Sequence, residues 1–289
     1  MKKPILIIIV ITIPFFVLSC GNNTGSVTLN ITDAPVDASN IKNVYITITG
    51  IGYHEEKPEE WTNIDFKSSK KFDLLSLTNG TTAMLGEFTL PAGKITQLRF
   101  YLDAKETGES TPSNPGCYIV LTDDSEYDLF VPSGGSSGYK AVGSFDVPVN
   151  GEVTLTADFD IRKSLKLTGS TYNLQPTIRL IADNEAGEIT GIVTYAGDYS
   201  LVVFAYENGE YSSSEAIADS NGDDFINAAT SGAVDPIDGS YLLPFLAAGT
   251  YDLILAEVDA DGIYIADSAT ESPDVIVTSG DTTAQDFTY

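Results

Sequence analysis

The stretch Gly151-Glu-Val-Thr-Leu-Thr-Ala-Asp-Phe-Asp-Ile161 decides the fold class. Val153, Leu155, Ala157, Phe159 and Ile161 fall on one side of an extended chain, and Thr154, Thr156, Asp158 and Asp160 on the other. Side chains alternate across a strand with a period of two, so this run predicts a strand with one buried and one wet face. The same period recurs outward from it. Val27, Leu29 and Ile31 alternate with Thr28, Asn30 and Thr32; Val44, Ile46 and Ile48 alternate with Tyr45, Thr47 and Thr49. Between such runs stand Asn79-Gly80, Asn150-Gly151, Asn208-Gly209 and Asp261-Gly262, dipeptides that accept the positive φ of tight turns. Asp261-Gly262, between Leu253-Ile-Leu255 and Ile263-Tyr-Ile265, predicts a hairpin. No segment carries a long apolar period of 3.6 residues. The chain is therefore expected to be all-β and built of sandwiches.

The N-terminus follows other rules. Met1-Lys2-Lys3 precedes an apolar run from Ile5 to Leu18, and Ser19-Cys20-Gly21 follows it. Two lysines, a short apolar run and a small residue make a secretory signal over residues 1–19. The run is shorter than the roughly twenty residues a spanning helix needs, and Pro14 interrupts it. Val17-Leu-Ser-Cys20 resembles the bacterial lipobox, which implies cleavage before Cys20 and lipidation of that residue. Each buried methylene contributes about 0.8 kcal/mol, and two acyl chains suffice for stable anchoring. Residues 20–24 read as a short polar tether. An aspartate after the cysteine is absent, and by resemblance to lipoprotein sorting rules Gly21 favours the outer membrane; the leaflet stays open.

Charge bounds the partners. The chain holds 15 basic and 41 acidic residues, a net charge of −26, and loss of Lys2 and Lys3 with the signal takes it to −28. Every Lys and Arg lies at or before Arg179, while residues 187–289 carry 19 acidic residues and no Lys or Arg. Such a surface repels nucleic acid. It serves either as a solvated face or as a cation-binding one. Cys117 is the only cysteine besides Cys20, so the mature chain forms no intrachain disulfide. Where basic residues stop, near Ala182–Gly187, a fresh strand pattern opens at Gly187-Glu-Ile-Thr-Gly-Ile-Val193. Two domains are expected, 25–183 and 187–289.

The first domain resembles a bacterial family known as domain of unknown function 4382. The resemblance rests on motifs that follow one another in order. They are Ile31-Thr-Asp-Ala-Pro-Val-Asp37, Val44-Tyr-Ile-Thr-Ile-Thr-Gly-Ile-Gly-Tyr-His54, Phe72-Asp-Leu-Leu-Ser-Leu-Thr-Asn-Gly80 and Leu90-Pro-Ala-Gly-Lys-Ile-Thr-Gln-Leu-Arg99, then Val131-Pro-Ser-Gly134 with Lys140, Ala157-Asp-Phe-Asp160 with Ser164, and Tyr172-Asn-Leu-Gln-Pro-Thr-Ile-Arg179. The second domain resembles carboxypeptidase-regulatory-like and transthyretin-like sandwiches. It does so through Gly187–Val193, Asp238-Gly-Ser-Tyr-Leu-Leu-Pro-Phe-Leu-Ala-Ala-Gly-Thr-Tyr-Asp-Leu253 and Thr278-Ser-Gly-Asp-Thr-Thr-Ala-Gln-Asp-Phe287. The resemblances imply two consecutive β-sandwich domains of Ig-like or transthyretin-like type after a lipoprotein signal. For the second, the resemblance implies a carbohydrate-binding-like fold.

Few residues qualify for chemistry. His54 is the single histidine, so neither a structural zinc site nor a Ser-His-Asp or Cys-His centre can be assembled without it. The glycine-rich Val131–Lys140 lacks the Gly-Lys-Ser/Thr of a phosphate loop. Asp33 before Pro35 reads as capping its own turn. Asp158 and Asp160 share one face; Arg162 and Lys163 nearby would neutralise them, so they read first as structural charges, with an acid pair or a cation site as the alternatives. Asp219, Asn221 and Asp223 set oxygen ligands at alternate positions, as at the start of a calcium loop. Asp224 and Thr230 stand where a helical EF-hand needs glycine and glutamate, which leaves a looser calcium loop between strands. No catalytic residue is assigned and no cofactor is required, with Ca2+ as a candidate ligand. The sequence thus reads as a non-enzymatic, lipid-anchored cell-envelope protein with a binding or structural role. Its partners are the membrane through the lipid, and glycans or envelope proteins. A carbohydrate-binding or adhesion protein presenting the C-terminal sandwich is the alternative; an envelope hydrolase using paired carboxylates is another.

Overall fold

The computed structural model describes residues 23–34, 40–106, 116–131, 138–197, 199–216, 225–259, 264–265 and 268–289. The signal segment, Cys20 and the Asp261-Gly262 hairpin lie outside these.

The first part of the chain forms β1 (Thr24–Thr32), β2 (Ile41–Glu55), β3 (Trp61–Asp73), β4 (Ala83–Pro91), β5 (Gly93–Leu102), β6 (Lys105–Glu106), β7 (Tyr118–Leu121) and β8 (Glu126–Val131). There follow β9 (Tyr139–Val142), β10 (Phe145–Val147), β11 (Glu152–Phe159), the four-residue helix α1 (Ile161–Ser164), β12 (Leu165–Thr168), β13 (Thr171–Leu174) and β14 (Ile178–Ala182). Hydrogen bonds join these strands in the order β12-β13-β8-β7-β2-β5-β9-β14-β11-β1-β4, with β3, β10 and β6 paired onto β2, β5 and β8. Leu85 and Leu90 at one end of this path share a core with Leu174 near the other, and with Ile46, Phe100 and Leu155 between. The sheet is therefore folded over on itself about one apolar centre. Of the turn dipeptides, Asn79 and Asn150 take positive φ, at 54° and 52°, and Gly209 does so at 80°. Thr24 belongs to β1, so the strand reaches one residue into the expected tether.

The decisive stretch of the sequence forms β11, parallel to β1 with Leu29 opposite Leu155, and antiparallel to β14 with Asp158 opposite Arg179. One expectation fails. The polar face is not wet: Thr156 is 0% and Asp158 4% exposed. Thr156 donates from Oγ1 to Asp183 (2.8 Å), and Asp158 meets Arg179. The strand also ends at Phe159, and Ile161 opens α1.

The path leaves this sheet at Ala182, makes one 3-10 turn over Asp183–Glu185 and enters new sheets. These comprise β15 (Ala186–Thr194), β16 (Ser200–Glu207), β17 (Thr230–Ala233), β18 (Ser240–Ala247), β19 (Gly249–Val258), β20 (Thr270–Val277), β21 (Thr282–Ala284) and β22 (Phe287–Thr288). One sheet runs β18-β15-β21 with β22 also on β15; the other runs β17-β16-β19-β20. Ile189, Leu243, Val203 and Leu255 pack between the two sheets. A second cluster lies on the far side of β16 and β19, where Phe204, Tyr206 and Ile254 pack against Phe225 and Ala228. Leu201 through Tyr206 are consequently all buried, and β16 is covered on both faces.

Candidate functional site

Three carboxylates converge where the two sheet systems meet. Asp33 follows the end of β1, Asp158 lies on β11 and Asp160 precedes α1; they are 2%, 4% and 5% exposed. Asp160 caps α1 by accepting from the Lys163 N–H at 3.2 Å. Asp33 reaches the same helix from far away in sequence: its Oδ1 accepts from the Ile161 N–H at 3.1 Å. It therefore caps this helix; the turn that the sequence reading has it cap runs into residues 35–39, outside the described residues. Three cations answer the carboxylates. Arg179 bonds Asp158 Oδ2 at 2.8 Å, while Lys163 and Arg162 stand 3.3 and 3.8 Å from Asp160 Oδ2. Ser164, fully buried, ties the helix back by donating to the Asp160 carbonyl and accepting from the Thr177 N–H at 2.9 Å.

The same cations cross to the second sheet system. Arg162 Nη1 donates to the Phe225 carbonyl (2.9 Å), Lys163 Nζ to the Ala228 carbonyl, and Arg179 Nη1 to the Phe245 carbonyl (2.7 Å). Arg162 also lies 5.3 Å from the Phe204 ring centre. Phe225 and Phe245 have φ of 44° and 53°. Bulky residues rarely adopt this left-handed conformation, and here both residues that do so turn a carbonyl toward a guanidinium. Phe245 sits at a register irregularity of β18 against β15.

Burial sets the electrostatics. It pushes the Asp33 carboxyl well above the usual range, with Asp158 adding to the effect and the Ile161 N–H working against it. Asp158 is raised by burial against the opposing pull of Arg179. Lys163 is lowered by burial, with Asp160 opposing. Hydrolysis of a glycoside needs two carboxylates roughly 5 to 9 Å apart across an open cleft. Asp158 and Asp160 instead face arginine and lysine inside the protein. The arrangement is a buried ionic joint, and neither the acid pair nor the cation site of the sequence reading forms there.

A family model described as "Domain of unknown function (DUF4382)" matches residues 24–176, more than half of the chain. The chain belongs to the DUF4382 family. No curated protein matches it. Solved structures overlap it at low similarity. The minor pilin GBS52 of Streptococcus agalactiae has 12% identity and a TM-score of 0.22, over 90% of this chain and 94% of that one. The major pilin subunit BcpA of Bacillus cereus has 9% and 0.21, over 92% and 69%. A fimbrial protein of Bacteroides ovatus has 8% and 0.21, over 93% and 50%. Overlaps of this size carry no information on role.

The DUF4382 segment supplies Asp33, Asp158, Asp160, Arg162 and Lys163 of the joint; Arg179 and the three acceptor carbonyls follow it. Four of the motifs meet there, because the Leu77 carbonyl accepts both the Asp33 N–H (3.0 Å) and the Thr32 hydroxyl (2.9 Å). Sequence reasoning found Arg162 and Lys163 beside the aspartates. It missed Arg179 as their partner and the joint itself, since main-chain acceptors have no residue signature. The other candidates stand apart. His54, on β2, pairs Nδ1 with Thr96 Oγ1 at 2.9 Å and packs beside Trp61. Cys117 is buried in the first core, where burial pushes its thiol up to about 12. Cys20 and the calcium candidates Asp219, Asn221 and Asp223 lie outside the described residues. Among the described residues no group of three or more His, Cys, Asp and Glu could hold a metal, and no helix is long and apolar enough to cross a membrane.

Proposed function

We propose that this chain is a non-enzymatic, lipid-anchored protein of the cell envelope, held at the outer membrane through acyl chains on Cys20, with a structural or binding role. One observation carries the non-enzymatic part. The buried carboxylates Asp158 and Asp160 pair with Arg179, Lys163 and Arg162, and these cations also bond main-chain carbonyls of the second sheet system, which supports a joining role for the cluster. Support for the anchor is the run Lys2-Lys3, Ile5–Leu18 and Val17-Leu-Ser-Cys20. Two acyl chains hold a protein on a bilayer without a spanning helix. Full-length protein is expected in the detergent phase after phase partitioning, and Cys20→Ala protein in the aqueous phase. Retention of the Cys20→Ala protein in washed membranes would sink the anchor. The same reading includes a calcium loop at Asp219, Asn221 and Asp223, supported by the spacing of their oxygens in a stretch without basic residues.

A further inference from the structure

Aromatic rings line one end of the second sandwich, where β15 gives way to β16. Strand β22 pairs with β15 so that Val193 lies opposite Phe287, and both belong to the core between the two sheets. Tyr195 and Tyr289 stand two residues further along, so they fall on the same inward side, and both pack against that core. The Tyr289 N–H donates to the Thr194 carbonyl at 3.0 Å and extends the pairing to this end. On the facing sheet, Leu201 of β16 lies opposite Glu257 of β19, and Leu201 and Leu255 belong to the same core. Glu257 therefore also points inward, and its Oε2 accepts the Tyr289 hydroxyl at 2.6 Å. Tyr199, just before β16, completes the set. Its ring centre is 6.4 Å from that of Tyr195 and 5.2 Å from that of Tyr289, at interplanar angles of 60° and 75°. Gly197, at φ 145°, has no room for a Cβ against that ring. Tyr199 is 37% exposed, while Tyr195, Tyr289 and Glu257 are partly buried. The rings are thus held before any ligand arrives, which lowers the entropy cost of binding.

We propose that this end of the sandwich binds a trimethylammonium group. A ring face attracts a cation that lies within about 6 Å of its centre. Three tyrosines set steeply to one another beside a carboxylate offer such faces from more than one side. A primary ammonium carries three N–H donors, each of which needs an acceptor. A trimethylammonium carries none, and its methyl groups gain by leaving water for the rings. The surroundings set the sign. Residues 187–289 hold 19 acidic residues and no Lys or Arg, so the field favours a cation and no ammonium of this stretch competes for the rings. A pyranose is the competing ligand for tyrosine, but it lies flat on a ring face, and rings at 60° and 75° to their neighbours form corners. The inference deepens the binding role proposed above; it does not require the anchor.

The test uses the chain from Gly21 to Tyr289, titrated by calorimetry at fixed ionic strength with three small molecules. Choline carries the trimethylammonium, ethanolamine the charge without the methyl groups, and tert-butylethanol the shape without the charge. Choline is expected to bind about tenfold or more tighter than either of the others, and Tyr199→Ala to weaken it about tenfold, as loss of a cation–ring contact implies. Tyr199→Phe keeps the ring face and should retain most of the affinity. Glu257→Gln keeps an acceptor for the Tyr289 hydroxyl, removes the charge and should also weaken choline. Because Tyr199 precedes β16 and is partly exposed, Tyr199→Ala should keep the parent's circular dichroism. Phosphocholine separates the sources of the group: affinity equal to choline's assigns a headgroup, and weaker affinity a free cation. Absence of choline binding, choline binding that Tyr199→Ala leaves unchanged, or binding of ethanolamine or tert-butylethanol as tight as choline's would each overturn the proposal. All of these results leave the detergent-partitioning test of the anchor untouched.

Discussion

Asp33 is buried near two other carboxylates, and its side chain accepts from the Ile161 N–H. Its folded pKa is raised, so its contribution to stability is full below the unfolded value of roughly 3.9 and is lost as pH rises through the folded value. Asparagine keeps an acceptor for Ile161 and carries no charge. Asp33→Asn should therefore unfold at a higher urea concentration than the parent at pH 7, and the gap should close toward pH 4. A midpoint at pH 7 no higher than the parent's would show that the charge is compensated. The phenylalanines facing the joint obey a similar balance. A non-glycine residue in the left-handed region costs about 1–3 kcal/mol. A hydrogen bond to a charged donor returns about 1.5–3 kcal/mol. The two are of equal size, so Phe225 and Phe245 hold their conformation while Arg162 and Arg179 hold their carbonyls.

Strand β11 shows how far an element can be read from its own residues. Period two announces the strand and its apolar face. It says nothing of what covers the polar face, because the partners are distant: Arg179 on β14, Asp183 in the linking turn. The partner of Asp33 is hidden for the same reason, as it caps a helix that begins 128 residues later. Strands β16 and β19 are the opposite case. Leu201-Val-Val-Phe-Ala-Tyr206 is apolar throughout, and the structure buries both sides of it. Local stability follows buried contacts and protected hydrogen bonds. Backbone amides of β16 and β19 should thus exchange with deuterium most slowly in the second sheet system, and those of the edge strands β17 and β20 faster. Equal protection in β20 and β19 would contradict the assignment of β19 as the doubly covered strand.

The two sheet systems each enclose their own apolar clusters, and hydrogen bonds from three basic side chains link them. Fragments 23–184 and 187–289 should each show cooperative melting and β-type circular dichroism. An unfolded 187–289 fragment, with and without calcium, would show that it depends on the joint. That fragment has 19 acidic residues and no Lys or Arg, so its charges repel one another. Millimolar calcium should raise its melting temperature by several degrees over sodium chloride of equal ionic strength, as expected for a small domain gaining a bound ion. Asp219→Ala with Asp223→Ala should remove that response. Equal shifts in both salts would exclude the site. Among the described residues, three donors from the first sheet system reach main-chain carbonyls of the second, those of Phe225, Ala228 and Phe245. Every amino acid has that carbonyl, so these three bonds demand a backbone path, while the Phe204 ring beside Arg162 adds a side-chain contact. The three bonds therefore act as a socket: a different C-terminal domain whose chain offered carbonyls at those points, with a ring beside Arg162, could be plugged into the same Arg162, Lys163 and Arg179.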